Sequence, residues 1–117
     1  MAKSQHQKEL IASYKDRRLT GGVYTITNTE TGRLLLQSGV DLPGFRNRFT
    51  FTAATGSCVY GKLTKDWRIY GPGAFRFDIL EEAEQKEDQD ADAFRTDLTA
   101  MEELWRERLL KQGKQLY

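Results

Sequence analysis

GGVYTITNTETGRLLLQSG, residues 21–39, has the pattern of a β-hairpin. Residues 23–27 are β-branched or aromatic, and turn-forming residues separate them from the apolar run Leu34-Leu35-Leu36. Because neighbouring side chains of a strand point to opposite faces, Leu35 faces away from the two leucines beside it. We therefore predict a hairpin that is buried on both faces, with helices packed against it.

The totals predict one domain of ordinary composition, since the chain has 117 residues, of which 38% are hydrophobic and 30% are charged. No apolar run approaches the roughly 18 residues that span a bilayer, so we expect no membrane partner. The N-terminus lacks an apolar signal region, and the single cysteine, Cys58, has no disulfide or zinc partner. These features predict a cytoplasmic protein.

Charge is spread unevenly, although the formal net charge is only +1. Residues 1–76 carry 12 Lys or Arg against 5 Asp or Glu, whereas residues 77–117 carry 6 against 12. A local positive field attracts phosphates even when the whole chain is near neutral. The alternative is an ordinary solvated surface on which the two halves neutralise each other.

Helical patterns lie on both sides of the hairpin. Residues 4–18 predict an amphipathic helix ending in Lys15, Arg17 and Arg18, a charge pattern that the helix dipole alone would explain. After a loop over residues 39–44, Phe45 and Phe49 are spaced to share a helix face. Residues 58–71 predict a further helix whose core stripe is Tyr60, Leu63, Trp67 and Tyr70, with Lys62 and Lys65 pointing outward.

The acidic half predicts a strand, a loop and a long helix. Residues 74–82 alternate as a third strand does, and residues 81–92 predict a solvated acidic loop. The last helix, over residues 93–112, has the apolar stripe Phe94, Leu98, Met101, Trp105 and Leu109. Glu102 lies only about 60° from the centre of that stripe. A carboxylate aimed at the protein body must be paired, bound to a cation or at a cleft rim, and the non-functional alternative is a pair with Arg106 or Arg108.

The order of these elements, and the residues in them, resembles the GIY-YIG nuclease family. Gly22-Val23-Tyr24 matches the GIY strand, and Leu35-Leu36-Gln37 falls where YIG would be. The likeness continues through Ser38, Asp41-Leu42, Gly56-Ser57, the Leu63 to Trp67 helix, Ile79-Leu80-Glu81-Glu82 and the segment from Glu102 to Trp105.

The resemblance implies an α/β (α+β) fold, a three-stranded antiparallel sheet flanked by helices, here with an extra N-terminal helix. We expect a helical extension over residues 1–20, the GIY-YIG-like domain over residues 21–112 and a tail over residues 113–117. The resemblance also implies cleavage of DNA phosphodiesters with one divalent metal, Mg²⁺ or Mn²⁺. In such a site a hydroxyl relays a proton, an arginine neutralises phosphate charge and a carboxylate holds the metal.

Matched position by position, Tyr24 takes the place of the first motif tyrosine, and Glu102 takes that of the metal glutamate. An ungapped match gives Phe45 at the arginine position, with Arg46 and Arg48 as substitutes if the helix is turned or shifted. Tyr24 also has the alternative of being an ordinary half-buried strand tyrosine.

Other positions depart from the family pattern. Leu35 replaces the second tyrosine and Gln37 replaces the YIG glycine, while Phe49 and Cys58 stand where related nucleases often carry histidines. Loss of one donor at a transition state costs about 2.7–4 kcal/mol, roughly a hundred- to thousandfold in rate. We therefore expect a DNA endonuclease-family protein whose activity is weakened or lost.

The alternative functions are non-catalytic modules on the same fold. One binds nucleic acid through Lys62, Lys65, Arg17 and Arg18 together with Arg46 and Arg48. The other is a protein-interaction module in which the acidic segment and the aromatic basic half meet other subunits. If the chain is an active nuclease, Mg²⁺ or Mn²⁺ is its cofactor, and otherwise none is expected.

Overall fold

The computed structural model describes residues 19–117. The helix predicted over residues 4–18, and with it Arg17 and Arg18, lies outside the described residues. The described elements, in chain order, are β1 (Thr20–Asn28), β2 (Leu34–Gly39), α1 (Leu42–Thr55), α2 (Thr64–Tyr70), β3 (Phe75–Glu84) and α3 (Ala91–Lys111). Short 3-10 turns, Gly61–Leu63 and Pro72–Ala74, precede α2 and β3. None of the helices in this part of the chain has the length and apolar character needed to span a membrane.

β1 is the central strand of a three-stranded sheet with the order β2-β1-β3, and it pairs antiparallel with both neighbours. The predicted hairpin and the predicted antiparallel sheet are therefore confirmed. The hairpin turn depends on Asn28, whose Oδ1 accepts a hydrogen bond of 3.0 Å from the backbone N–H of Glu30. Gly32 completes the turn with a φ of 80°, a conformation that favours glycine.

Alternate side chains of the hairpin enter two separate cores on the two faces of the sheet. One core is covered by α1 and α2, and the other is covered by α3. The first receives Tyr24, Ile26 and Leu35, and the second receives Val23, Leu34 and Leu36. The prediction that both faces of the hairpin are buried is confirmed, because helices cover the sheet on both sides.

Helix α1 begins earlier than the sequence suggested. It starts at Leu42, so the predicted loop through residue 44 is wrong at its end. Asp41 caps the helix by accepting a hydrogen bond of 3.1 Å from the backbone N–H of Gly44. Pro43 fits because the first turn of a helix leaves its N–H groups unpaired. Further along, Phe49 is buried in the core that α1 covers.

Residues 58–71 do not form one helix. Tyr60 is extended, and a 3-10 turn follows it before α2 begins. Because a 3-10 turn has three residues per turn, it changes the direction of the following side chains relative to an α-helical wheel. Leu63 and Trp67 are buried as predicted, but Tyr70 is 42% exposed, so its place in the core stripe was wrong.

Strand β3 is longer than predicted and ends at Glu84. The prediction of a loop from residue 81 is wrong for its first four residues, because residues 20–23 of β1 offer backbone partners to them. The glutamates of this edge strand, Glu81, Glu82 and Glu84, are exposed, so their charges stay in water. The predicted stripe of α3 is confirmed, with Phe94, Leu98 and Leu109 buried and Met101 and Trp105 half-buried.

The last residues return to the hairpin turn. The backbone N–H of Tyr117 donates to the carbonyl of Leu34 at 2.8 Å. Its phenol donates to Asp66 Oδ2 at 2.7 Å and accepts from Asn28 Nδ2 at 3.1 Å. The C-terminal tyrosine thus joins β2, α2 and the turn of the hairpin.

The close approach of β1 and β3 at Gly22 is testable by substitution. A Cβ at this position would overlap the carbonyl oxygen of Glu81 and lie 2.8 Å from Leu42 Cδ1. We expect Gly22→Ala to lower the free energy of unfolding by about 1–3 kcal/mol, because backbone atoms cannot move aside without disturbing the sheet. Urea denaturation measures this change.

Gly73→Ala is the control, because a Cβ at Gly73 has no atom within 4 Å. Its effect should stay within about 0.5 kcal/mol. Equal losses of stability in the two variants would contradict the close approach at Gly22.

Candidate functional site

Tyr24 lies on the central strand with its ring packed against two phenylalanines. The ring centroids of Phe45 and Phe77 are 5.2 Å and 4.9 Å away, both in stacked orientations. The phenol donates a hydrogen bond of 3.0 Å to Gln37 Oε1, across the β1–β2 ladder. Only 2% of the residue is exposed. The group is therefore held in place by packing and by a neighbouring amide.

Burial raises the pKa of Tyr24 to about 12. The neighbouring Tyr60 and the carboxylate of Glu102 raise the pKa further, whereas the guanidinium of Arg48 lowers it. At neutral pH the phenol is protonated, so it donates a hydrogen bond but does not take a proton from water.

Tyr60 is a site residue that the sequence analysis assigned only to the core. It is buried, and burial raises its pKa, while Arg48 lowers it. Tyr60 shares a core cluster with Tyr24, and Tyr60 and Arg48 both act electrostatically on the pKa of Tyr24. The sequence carried no signal for this grouping, since a core tyrosine and a site tyrosine show the same apolar spacing.

The two arginines of α1 flank its buried stripe. Arg46 and Arg48 each lie roughly 80° from the centre of the Phe45–Phe49 stripe, on opposite sides of it. Both are exposed, and the guanidinium of Arg46 lies 5.9 Å from the ring centroid of Phe77. A cavity of about 180 Å³ adjoins Arg46 and is lined by Thr20, Leu42, Pro43, Arg46, Asn47, Ile79 and Glu82. The structure therefore leaves both arginines exposed on the flanks of the stripe that packs against the sheet, Arg46 on one flank and Arg48 on the other.

Both carboxylate oxygens of Glu102 are engaged. Oε1 accepts a hydrogen bond of 2.8 Å from Ser38 Oγ, and Oε2 accepts one of 2.8 Å from Arg106. The pairing of Glu102 with Arg106 is thus confirmed, whereas Arg108 lies over the ring of Trp105 at 4.5 Å instead. The side chain of Glu102 is 21% exposed, as expected for a residue at the edge of the buried stripe.

Tyr24 and Glu102 meet the same edge strand from opposite faces. Gln37 binds the phenol and Ser38 binds the carboxylate, and these two consecutive residues of β2 point to opposite faces of the sheet. The charge of Glu102 makes a small contribution to the raised pKa of Tyr24. The structure thus places Tyr24, which is buried, and Glu102, which is bonded to Ser38, on opposite faces of the sheet.

Apolar packing fills two positions where the resemblance implies polar groups. Leu35, at the position of the second tyrosine, is 2% exposed and lies in the core under α1. Phe45, at the arginine position, is half-buried against Tyr24. Neither side chain donates a hydrogen bond or transfers a proton.

The residues present do not fit the divalent metal that the fold family implies. Glu102 is the carboxylate at the expected position, and both of its oxygens already accept hydrogen bonds. Within residues 19–117, no three His, Cys, Asp or Glu side chains form a group that could hold a metal ion. The carboxylate of Glu102 is thus bonded to protein groups and is not presented to a metal ion.

The remaining predicted residues lie apart from these contacts. Lys62 and Lys65 are exposed, as predicted, on the 3-10 turn and on α2. Cys58 is half-buried, and its Sγ donates to the carbonyl of Tyr60 at 3.3 Å. Assignment of either lysine to a nucleic-acid contact stays a prediction.

Comparison with known proteins bears on the fold. No protein-family model and no curated protein matches the chain. A solved structure of the catalytic domain of the homing endonuclease I-TevI has a TM-score of 0.56 and 22% identity, covering 81% of this chain and 94% of that one. A mutant catalytic domain of the intron endonuclease I-TevI gives a TM-score of 0.56 and 21% identity, covering 83% of this chain and 91% of the other. The chain thus has a GIY-YIG-like nuclease fold, that of the I-TevI catalytic domain.

Proposed function

We propose that this chain binds DNA through the exposed arginines of α1, Arg46 and Arg48, and that its capacity to cleave DNA is weakened or lost. The observation that carries the proposal is the packing of Tyr24 against Phe45, with its phenol bonded to Gln37. A nuclease on this fold needs polar groups where Phe45 and Leu35 stand. The likeness to endonuclease catalytic domains supports DNA as the partner.

The binding half of the proposal rests on exposed cations. Arg46 and Arg48 lie on the same helix, on either side of the stripe that covers Tyr24, and their side chains are exposed. No ion pair or hydrogen bond to a described carboxylate engages either guanidinium, so both remain available to phosphates. Lys62 and Lys65 add positive charge on the following turn and helix. Phosphate contacts of this kind give sequence-independent affinity that falls steeply with salt.

The chemical half rests on the state of Tyr24. A phenol with a pKa of about 12 is a poor base at neutral pH, and its proton already lies in a hydrogen bond to Gln37. Phe45 and Leu35 offer no donor to a phosphate oxygen. Two missing donors at about 2.7–4 kcal/mol each would slow phosphodiester cleavage by a very large factor.

A protein-interaction role is the second candidate. It is favoured by large apolar side chains in water, since Phe51 on α1 is 70% exposed and Ile69 on α2 is 60% exposed. Single exposed apolar residues are common on monomers, so this observation is the weaker of the two. Sedimentation at several concentrations tests self-association through these residues.

The first prediction concerns DNA binding. In the Arg46→Gln, Arg48→Gln double variant we expect weaker binding to a labelled duplex, because two phosphate contacts are lost. The slope of log affinity against log salt, measured by fluorescence anisotropy between about 50 mM and about 200 mM salt, should fall by about 2.

The matched control removes two arginines that are paired elsewhere. Arg76 pairs with Asp78 at 2.8 Å and Arg95 pairs with Asp92 at 3.0 Å, so Arg76→Gln with Arg95→Gln should leave the salt slope nearly unchanged. Absence of duplex binding by the wild type at low salt, or an equal loss in the control, would count against the proposal.

The second prediction concerns cleavage. With supercoiled plasmid and Mg²⁺ or Mn²⁺, we expect the wild type to produce no more nicked product than a Glu102→Ala variant. Gel electrophoresis over a time course, with an established nuclease as the positive control, measures this. Nicking by the wild type that disappears in Glu102→Ala would show that the site is catalytically competent.

The third prediction concerns the proton on Tyr24. Because its pKa is raised in the folded state, folded protein holds the proton when unfolded chain has lost it, so stability falls as pH rises from about 10 towards 12. At about pH 10.5 this lowers the free energy of unfolding by roughly 1 kcal/mol relative to pH 7.

Tyr24→Phe supplies the reference, since it keeps the ring and removes the ionisable group. Urea denaturation of both proteins at neutral and alkaline pH isolates the contribution of this one phenol. If wild type and variant lose stability in parallel as pH rises, the phenol is not perturbed and the argument from its protonation is wrong.

A further inference from the structure

Arg106 is held against Glu102 by more than one contact. It donates to Glu102 Oε2 at 2.8 Å, and its Nε lies 3.6 Å from Glu103 Oε1. Residues three and four apart on a helix are neighbours, and a glutamate four residues before a basic residue is the favoured orientation. The side chain of Arg106 is 35% exposed, so the pair lies at the surface edge of the α3 core and not in open solvent.

Ser38 binds the other oxygen of the Glu102 carboxylate. Its hydroxyl donates to Glu102 Oε1 at 2.8 Å from β2, an element 64 residues away in sequence. With one oxygen bonded to a strand and the other to a guanidinium, the carboxylate has a fixed orientation. A metal ion would have to replace at least one of these two partners.

We propose that the guanidinium of Arg106 serves as the built-in cation of Glu102 and keeps divalent metal ions from binding there. The proposal concerns metal binding by the protein without DNA, so it stands or fails separately from the proposed function. A guanidinium and a divalent cation on the same carboxylate repel each other. Mg²⁺ sites built on one carboxylate are weak and rely on substrate phosphates for further ligands, so a resident cation at that carboxylate suffices to exclude the ion.

The test is a titration of the DNA-free protein with Mn²⁺. Paramagnetic broadening of the amide signals of Ser38 and Glu102 in NMR spectra reports an ion at this carboxylate, and electron paramagnetic resonance of free Mn²⁺ gives the affinity. In Arg106→Gln, binding should tighten by up to about fivefold relative to wild type, the gain expected when a partly exposed ion pair is removed. Broadening should then appear first at these two amides.

Two variants show whether the gain in Mn²⁺ binding comes from removing the partner of the Glu102 carboxylate or only from removing a positive charge near it. Arg108→Gln removes the same charge two residues away, from a guanidinium that lies over Trp105 and leaves both oxygens of Glu102 engaged. Arg108→Gln should leave Mn²⁺ binding at the Glu102 carboxylate, as reported by the Ser38 amide signal, unchanged. Adding Glu102→Gln to Arg106→Gln should abolish the gain.

Three results would overturn the proposal. The first is that the wild type binds Mn²⁺ at Glu102 as tightly as Arg106→Gln does. The second is that Arg108→Gln gains as much Mn²⁺ affinity as Arg106→Gln. The third is a gain that survives Glu102→Gln, since the ion would then lie elsewhere. Far-ultraviolet circular dichroism of each variant checks that α3 stays folded.

Discussion

The burial of both faces of β1 is the constraint on which the rest of this structure depends. A central strand has no free edge, and here helices cover both faces of the sheet, so alternate side chains of β1 enter a core on each side. Val23 turns into the core under α3, and Tyr24 turns into the core under α1. Each helix therefore has a fixed face of the sheet to cover, and the loops need only connect them.

The candidate site inherits this division. The phenol of Tyr24 belongs to one core and the carboxylate of Glu102 lies beside the other, and the edge strand β2 bonds to both, through Gln37 and Ser38. Polar groups near a sheet edge need partners when they are partly buried. Here protein groups supply those partners, an amide to the phenol and a guanidinium to the carboxylate. The two groups that the resemblance matches to catalytic side chains are thus bonded to other groups of the protein itself.

The resulting picture separates fold from chemistry. The architecture is that of an endonuclease catalytic domain, while the side chains at its centre are those of a packed core. A fold alone does not specify activity, since activity depends on the groups at a site. The arginines of α1 remain exposed beside this packed centre. DNA binding therefore does not depend on the groups that DNA cleavage would need.

Much of the fold was determined by the sequence itself, because it depends on short-range patterns. The alternation of residues 23–27, the turn at Asn28 to Gly32 and the helical stripe from Phe94 to Leu109 each specify an element and its buried face. From the sequence, the start of α1 was placed too late, because Pro43 suggests a loop when the cap at Asp41 is overlooked. The end of β3 was placed too early, because the acidic end of this strand is held by backbone pairing with β1, which has no local sequence signal.

Only the tertiary structure decided how the site groups are engaged. The pair of Glu102 with Arg106 was foreseeable as an i,i+4 contact, but the bond from Ser38 joins residues 64 apart and has no local signature. The stacking of Phe45 on Tyr24 and the approach of Tyr60 and Arg48 to that phenol likewise require a helix to be packed on a sheet. Sequence patterns fix which face a residue presents, and packing fixes which distant residue it meets there.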